Sequence, residues 1–184
     1  MLTGKDMNFC SNCGSPTVKK IPEGDGRARN VCEACGMIHY ENPKLVVGTI
    51  PEYNEKILLC RRAIEPMAGL WTLPAGFMEN SETAPEGAIR ETWEEAGIKV
   101  TGLSPYSFIN IPHISQMYML FRAKIEENKP NPGSESLECA LFDIDAIPWD
   151  DIAFKAVKKT LEFYVSDKKA GHFTFHMDDV IKTD

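Results

Sequence analysis

Residues 76–98 read GFMENSETAPEGAIRETWEEAGI, and this stretch decides how the rest of the chain is understood. Thr83 followed at the third position by Glu86 forms a capping-box pattern, and Gly97 supplies a left-handed stop. Between them the spacing predicts a helix over residues 84–96. At about 100° per residue, Ile89, Trp93 and Ala96 fall on one narrow arc, which predicts the face turned to the core. Glu91, Glu94 and Glu95 gather on the opposite side, with Thr92 at its edge. Their i,i+3 and i,i+4 relations bring the carboxylates together, which destabilises a bare helix. A solvated acidic face is one reading. A divalent cation such as Mg2+ or Mn2+, bound by hard oxygen ligands, is the other.

Outward from this helix, short aliphatic runs alternate with turns. LVVGTI (45–50) and KILLCRR (56–62) predict buried strands joined by a turn at PEYNE. WTLPAGF (71–77) predicts a loop threaded between short strands. LSPYSFIN (103–110), QMYMLFRAKI (116–125) and LECALFDI (137–144) predict further strands. DDIAFKAVKKTLEFYV (150–165) places Ile152, Val157, Leu161 and Tyr164 at helical spacing, and FTFHM (173–177) suits a last short strand. The expected fold class is α/β, a mixed sheet flanked by helices.

The N-terminal part is different in kind. Cys10-x-x-Cys13 and Cys32-x-x-Cys35 are separated by eighteen residues, and Gly14 and Gly36 follow directly. Four thiolates at this spacing predict a closed, structural Zn2+ site with no catalytic position. A redox-active CxxC pair is the alternative. PEGDG (22–26) predicts a hairpin tip, and so short a segment depends on metal for folding. His39 reads as a surface or linker residue, since four cysteines complete the shell. The expected division is a zinc ribbon over residues 1–40 and a main domain over 41–184. Cys60 and Cys139 stand apart in apolar surroundings and read as buried core thiols. They form a disulfide only if the fold makes them neighbours, which the sequence does not indicate.

The 184 residues carry a net charge of −7, with 43% hydrophobic and 26% charged residues. These values fit a globular chain, and the acidic balance argues against nucleic acid as a partner. No apolar run is long enough to span a membrane, and MLTGKDMNFC lacks a signal-peptide core. No membrane association and a cytoplasmic location are therefore the expectations.

The order Gly76, Glu82, Arg90-Glu91, Glu94-Glu95 and Gly97-Ile98 resembles the signature of the Nudix hydrolases across residues 76–98. Thr92 departs from it, standing where the family usually has an aliphatic residue, and LPAG departs from the usual LPGG at Ala75. The resemblance implies an α/β/α sandwich and hydrolysis of a diphosphate joining a nucleoside to a second group, by metal-assisted attack of water on phosphorus. It also implies catalytic metal, Mg2+ or Mn2+, on Glu91, Glu94 and Glu95. By the same resemblance Glu82 is the assisting loop glutamate and Arg90 the brace of the acidic residues. The resemblance leaves the base open: either Glu91 or Glu95 orients water through the metal, or, as in some members, a glutamate outside the motif serves, for which Glu138 and Glu135 are candidates. Arg61 and Arg62, at a strand end, are candidate phosphate or ribose contacts. Tyr106, Phe108, Tyr118 and His113 are candidate base contacts, with core positions favoured for Phe108 and Tyr118.

A zinc ribbon before a Nudix domain is also similar to the NADH pyrophosphatases, but their SQPWPFPxS stretch is missing. Residues 104–125 and 135–154 look instead like plant FAD pyrophosphatases and bacterial proteins grouped with ADP-ribose pyrophosphatases. The expected substrate is therefore ADP-ribose or FAD, with NADH or a nucleoside triphosphate as alternatives. A homodimer is expected from the same relatives. A zinc-ribbon adaptor or a noncatalytic nucleotide sensor is the reading from another class. The adaptor leaves the acidic motif unused, and the sensor fits poorly with an intact glutamate set.

Overall fold

The computed structural model describes residues 7–182, and the chain divides into two compact units between Pro43 and Lys44. In the first unit, β1 (Thr17–Lys20), β2 (Arg29–Cys32) and β3 (Ile38–His39) form an antiparallel sheet in that order. The PEGDG segment links β1 to β2, with Gly24 at a φ of 80°. Among its described residues the buried hydrophobic ones are Cys10, Val31 and Cys32. Phe9, Ile21 and Tyr40 remain more than 60% exposed, so apolar burial contributes little here.

The second unit contains β4 (Lys44–Tyr53), β5 (Lys56–Arg62), β6 (Trp71–Thr72), β7 (Ala75–Phe77), α1 (Ala84–Ala96), β8 (Val100–Ile111), β9 (Gln116–Ile125), β10 (Ser136–Phe142), α2 (Lys155–Ala170) and β11 (His176–Asp179). The main path of the sheet runs β10-β5-β4-β9-β8-β11. The β4–β9 and β8–β11 pairs are parallel and the others antiparallel, so the sheet is mixed, as expected.

Strand alternation explains the layers. Ile57 and Leu59 of β5 pack with Val157, Leu161 and Tyr164 of α2. Leu58 and Cys60, one residue out of phase, pack with Ala96 at the end of α1 and with Ile98. Consecutive strand residues point to opposite faces, so the sheet lies between the two helices in an α/β/α sandwich.

Several boundaries differ from expectation, among them the last strand, which runs His176–Asp179 and not over residues 173–177. PEYNE is not all turn: β4 continues to Tyr53, held by parallel pairing with β9 as far as Glu52 opposite Lys124, and only Asn54 and Glu55 turn, both at positive φ. Ile152 lies before α2 instead of within it and bridges to Trp71. Among the described residues, no helix is long and apolar enough to cross a membrane.

The central irregularity of the sheet lies between β4 and β5. They pair only at Glu52–Ile57 and Tyr53–Lys56, next to the turn. Farther along they separate, and residues 71–77 fill the opening, with β6 on β5 and β7 on β4. The Thr49 N–H donates to the Pro74 carbonyl across this wedge (3.1 Å). Gly48 is required here, because a Cβ would lie 2.4 Å from that same oxygen and 2.3 Å from the Ala75 Cβ.

Candidate active site

The helix α1 forms where the capping pattern places it. Thr83 is the N-cap, the Thr83 N–H donates to Glu86 Oε2 (2.8 Å), and Gly97 closes the C-terminus at a φ of 63°. Its orientation, however, corrects the expected arc. Ile89 and Trp93 are 39% and 52% exposed, and the buried positions are Gly87, Ala88, Thr92, Glu95 and Ala96. The reason is distance. The helix lies so close to β4 that a Cβ on Gly87 would be 2.8 Å from Val47 Cγ2, leaving room only for small side chains. Thr92 is fully buried and not at an edge. Its hydroxyl lies 2.6 Å from that of Thr49 and donates to the Ala88 carbonyl at 2.7 Å. Its departure from the usual aliphatic residue is thus matched by a polar partner on β4.

The same rotation splits the glutamates. Glu94 stays exposed, while Glu95 is only 7% exposed, with Oε2 accepting from the Ala75 N–H (3.3 Å). Ala75 is absent from the positive-φ positions, so LPAG supplies this donor without needing a second glycine. The Glu91 carboxylate rests against Gly76, where a Cβ would come within 2.3 Å of Glu91 Oε2. The expected solvated acidic face is therefore a half-buried one, opening between α1 and residues 74–76.

Arg90 holds the outer part together. Its Nε and Nη2 grip the two Glu82 oxygens (3.0 and 2.7 Å). Nη1 donates to Glu91 (2.6 Å) and Glu94 (3.1 Å), and Nη2 also reaches the Phe77 carbonyl (3.2 Å). These bonds, with the Glu79 N–H, pull the Glu82 carboxyl down to about 2. The inner pair responds in the opposite sense. Burial first, and then the Glu91 charge, pushes Glu95 up to about 8, and burial raises Glu91 despite its arginine.

The C-terminal turn of α1 is covered by the segment leading into β10. The Asn131 N–H donates to Ala96 O (2.8 Å) and the Gly133 N–H to Glu95 O (3.1 Å). A Cβ on Gly133 would overlap Glu94 O at 1.8 Å, so only glycine passes. This segment brings Glu135 within electrostatic reach of both Glu91 and Glu95. Glu138 instead meets Arg61 Nη1 (3.3 Å), and Arg61 Nε donates to Gly69 O (2.8 Å). Arg62 donates to Pro66 O (2.9 Å), lies 5.0 Å from the Phe154 ring centre, and its charge acts on Glu95 and Tyr118. His113 sits exposed in a single 3-10 turn between β8 and β9. Tyr106 and Tyr118 are buried. The Tyr106 hydroxyl bonds Asp167 of α2 (3.1 Å), a core role that sequence spacing did not reveal.

In the N-terminal unit the four sulfurs of Cys10, Cys13, Cys32 and Cys35 lie within 4.8 Å of one another. Cys10–Cys35 and Cys13–Cys32 are 3.7 and 3.5 Å apart. A tetrahedron with metal–sulfur bonds of about 2.3 Å requires edges of about 3.8 Å, so the cluster fits a structural metal ion. His39 is more than a linker residue: its Nε2 lies 3.3 Å from Cys10 Sγ, a contact that orients a thiolate ligand.

The profile of the NUDIX domain matches residues 42–162, and that of the Nudix N-terminal zinc ribbon matches residues 8–41. The chain belongs to the Nudix hydrolase family. It resembles the crystal structure of a NUDIX hydrolase from Nitrosomonas europaea, with a TM-score of 0.92 and 50% identity over 96% of this chain and 100% of that one. It is 32% identical to the NAD-capped RNA hydrolase NudC of Chromobacterium violaceum, covering 76% of this chain and 51% of that protein. It is 33% identical to an ADP-ribose pyrophosphatase of Methanocaldococcus jannaschii, covering 59% of this chain and 67% of that protein. The chain spans about half the length of several curated relatives that it matches. The segment from Gly76 to Ile98 that resembles the Nudix signature holds the end of β7, the loop to Thr83 and α1.

Proposed function

We propose that this chain is a divalent-metal-dependent pyrophosphatase that cleaves the diphosphate linkage of a nucleoside diphosphate-linked compound, with ADP-ribose or FAD preferred. The supporting observation is the protected carboxylate pair, Glu91 against Gly76 and Glu95 against the Ala75 N–H, braced by Arg90. A buried and a partly buried acid with raised proton affinity suit a cation that relieves their repulsion, and hard oxygen donors suit Mg2+ or Mn2+. Glu91, Glu94 and Glu95 would hold it. Bound there, it would offset charge on the diphosphate and acidify a water.

The remaining steps belong to the chain's own groups. Arg90 and Glu82 lock each other and so hold Glu91 and Glu94 in place. Glu135, whose charge reaches Glu91 and Glu95, orients the attacking water and takes its proton. Glu138 is the second candidate, drawn toward Arg61. Arg62 meets the diphosphate, and Arg61 and His113 contact the rest of the substrate. The four cysteines of the ribbon hold one Zn2+, and the protein works as a homodimer, which light scattering at micromolar concentration checks against a monomer mass.

The choice of ADP-ribose or FAD rests on residues 104–125 and 135–154. NADH is the second reading, favoured by the likeness to NAD-capped RNA hydrolases and to a mitochondrial NAD(P)H pyrophosphatase from Homo sapiens. The test compares kcat/KM for ADP-ribose, FAD, NADH, diadenosine polyphosphates and nucleoside triphosphates in Mg2+. Cleavage should give AMP with ribose 5-phosphate or FMN. Glu94→Gln should lose at least about a hundredfold, roughly 3 kcal/mol, with folding intact. Glu135→Gln should cost more kcat than Glu138→Gln. Preference for NADH or a triphosphate overturns the substrate, and no metal-dependent turnover overturns the reaction and revives the sensor.

A further inference from the structure

Cys60 and Cys139, seventy-nine positions apart in sequence, are direct cross-strand partners of β5 and β10. Their sulfurs lie 3.3 Å apart. Directly opposed residues of antiparallel strands have Cα atoms about 4.5 or 5.5 Å apart, and both spacings suit a disulfide. The S–S bond is about 2.05 Å, so side-chain rotation closes the remaining gap without moving the strands. Access is unequal. Cys60 is 1% exposed and walled in by Leu58, Ala96 and Ile98, whereas Cys139 is only partly covered. Neither sulfur belongs to the four-cysteine cluster of the N-terminal unit.

We propose that Cys60 and Cys139 form a reversible thiol–disulfide site, oxidised by peroxides and reduced by thiols. Cys139 is the entry point. Its sulfur attacks one peroxide oxygen, the O–O bond breaks, and a sulfenic acid and one water result. The Cys60 sulfur then attacks the Cys139 sulfur and displaces the hydroxyl, which leaves as a second water with the Cys60 proton. Two thiols and one hydrogen peroxide give one disulfide and two waters, the two electrons passing from sulfur to oxygen. A thiol reductant reverses the reaction by exchange. The Cys60 sulfur waits at contact distance in a protected place, which favours the disulfide over further oxidation at Cys139. The Cys139 sulfur also lies 3.6 Å from the Glu95 carbonyl, so the bond would form against the last turn of α1.

The test uses the full zinc-loaded chain and needs no substrate, so its outcome is independent of the proposed activity. Protein is treated with stoichiometric hydrogen peroxide, alkylated, digested without reductant and mapped by mass spectrometry. The expected result is one cross-link joining the Cys60 and Cys139 peptides, with zinc retained, and its loss on treatment with dithiothreitol. Cys139→Ser should abolish the cross-link and leave Cys60 unmodified. Accumulation of overoxidised Cys139 without a cross-link, or oxidation confined to the ribbon cysteines with zinc release, overturns the proposal. Because the map is read on the unaltered chain, a variant that folds poorly does not obscure it.

Discussion

The two units carry candidate ligand sets of opposite construction. In the ribbon the cysteines are the core: of its few buried residues, Cys10 and Cys32 are themselves sulfur donors, and Phe9, Ile21 and Tyr40 face solvent. In the Nudix domain the glutamates are guests of a core built without them. Ile57, Leu59, Leu120, Leu161 and Tyr164 are wholly buried on one face of the sheet, and Leu58, Cys60 and Ile98 on the other. The glutamates are held by that framework through the Arg90 bonds, the Ala75 N–H and the gap left by Gly76. A metal in the ribbon would therefore make the fold, while one held by the glutamates, as proposed, would meet a fold already made.

Removing zinc should bring out this contrast most strongly. Structural zinc contributes on the order of 10 kcal/mol to a module of this kind. Cys32→Ser should release the metal and raise hydrogen exchange across residues 7–43, while the apolar core of the second unit keeps its protection. Equal loss of protection in both units would show that the two do not fold on separate terms.

The next effect is on turnover. Gly76→Ala places a methyl where the Glu91 carboxylate lies. A loss of about a hundredfold or more in kcat/KM is expected, roughly 3 kcal/mol, with a melting temperature that hardly moves. Activity within about threefold of the parent would mean that Glu91 does not need its observed place.

Protons provide a finer probe of the cleft. Glu95 is raised from an ordinary carboxylate value to about 8, so the folded state holds its proton more tightly than the unfolded chain. Stability is then full below the unfolded value, near 4.5, and declines as pH rises toward 8. With zinc retained but no Mg2+ or Mn2+, melting temperature should fall from pH 5 to about pH 8.5 through this group. Glu95→Gln should flatten that slope, and Mn2+ should offset it above pH 7. A slope unchanged by the substitution would assign it to other groups.

The smallest effect tests the contact between helix and sheet. Thr92→Val leaves the buried Thr49 hydroxyl without the partner 2.6 Å away and should cost about 1–3 kcal/mol in denaturant unfolding. Adding Thr49→Val should recover most of that cost. Additive losses would mean that the two hydroxyls are not coupled.

Much of this molecule is written in local spacing. The capping box at Thr83 and Glu86, the stop at Gly97, the paired CxxC knuckles and the short aliphatic strands are all decided within a few residues, where backbone geometry and hydrogen bonding act. The signature likewise pointed to Arg90, whose bonds to Glu82, Glu91 and Glu94 the structure shows, and the family profile over residues 42–162 shows the family of the chain. What the tertiary structure alone decided is which way each element turns. An amphipathic reading assigned Ile89 and Trp93 to the core, because hydrophobicity was the only guide available. The close approach of β4 instead buried Gly87, Ala88 and Thr92, and with them Glu95. The pairing of Cys60 with Cys139, the wedge of residues 71–77 between β4 and β5, and the reach of Glu135 toward the glutamates depend on strand order and register. Those are relations between distant parts of the chain, set by packing complementarity and not by any local pattern of residues.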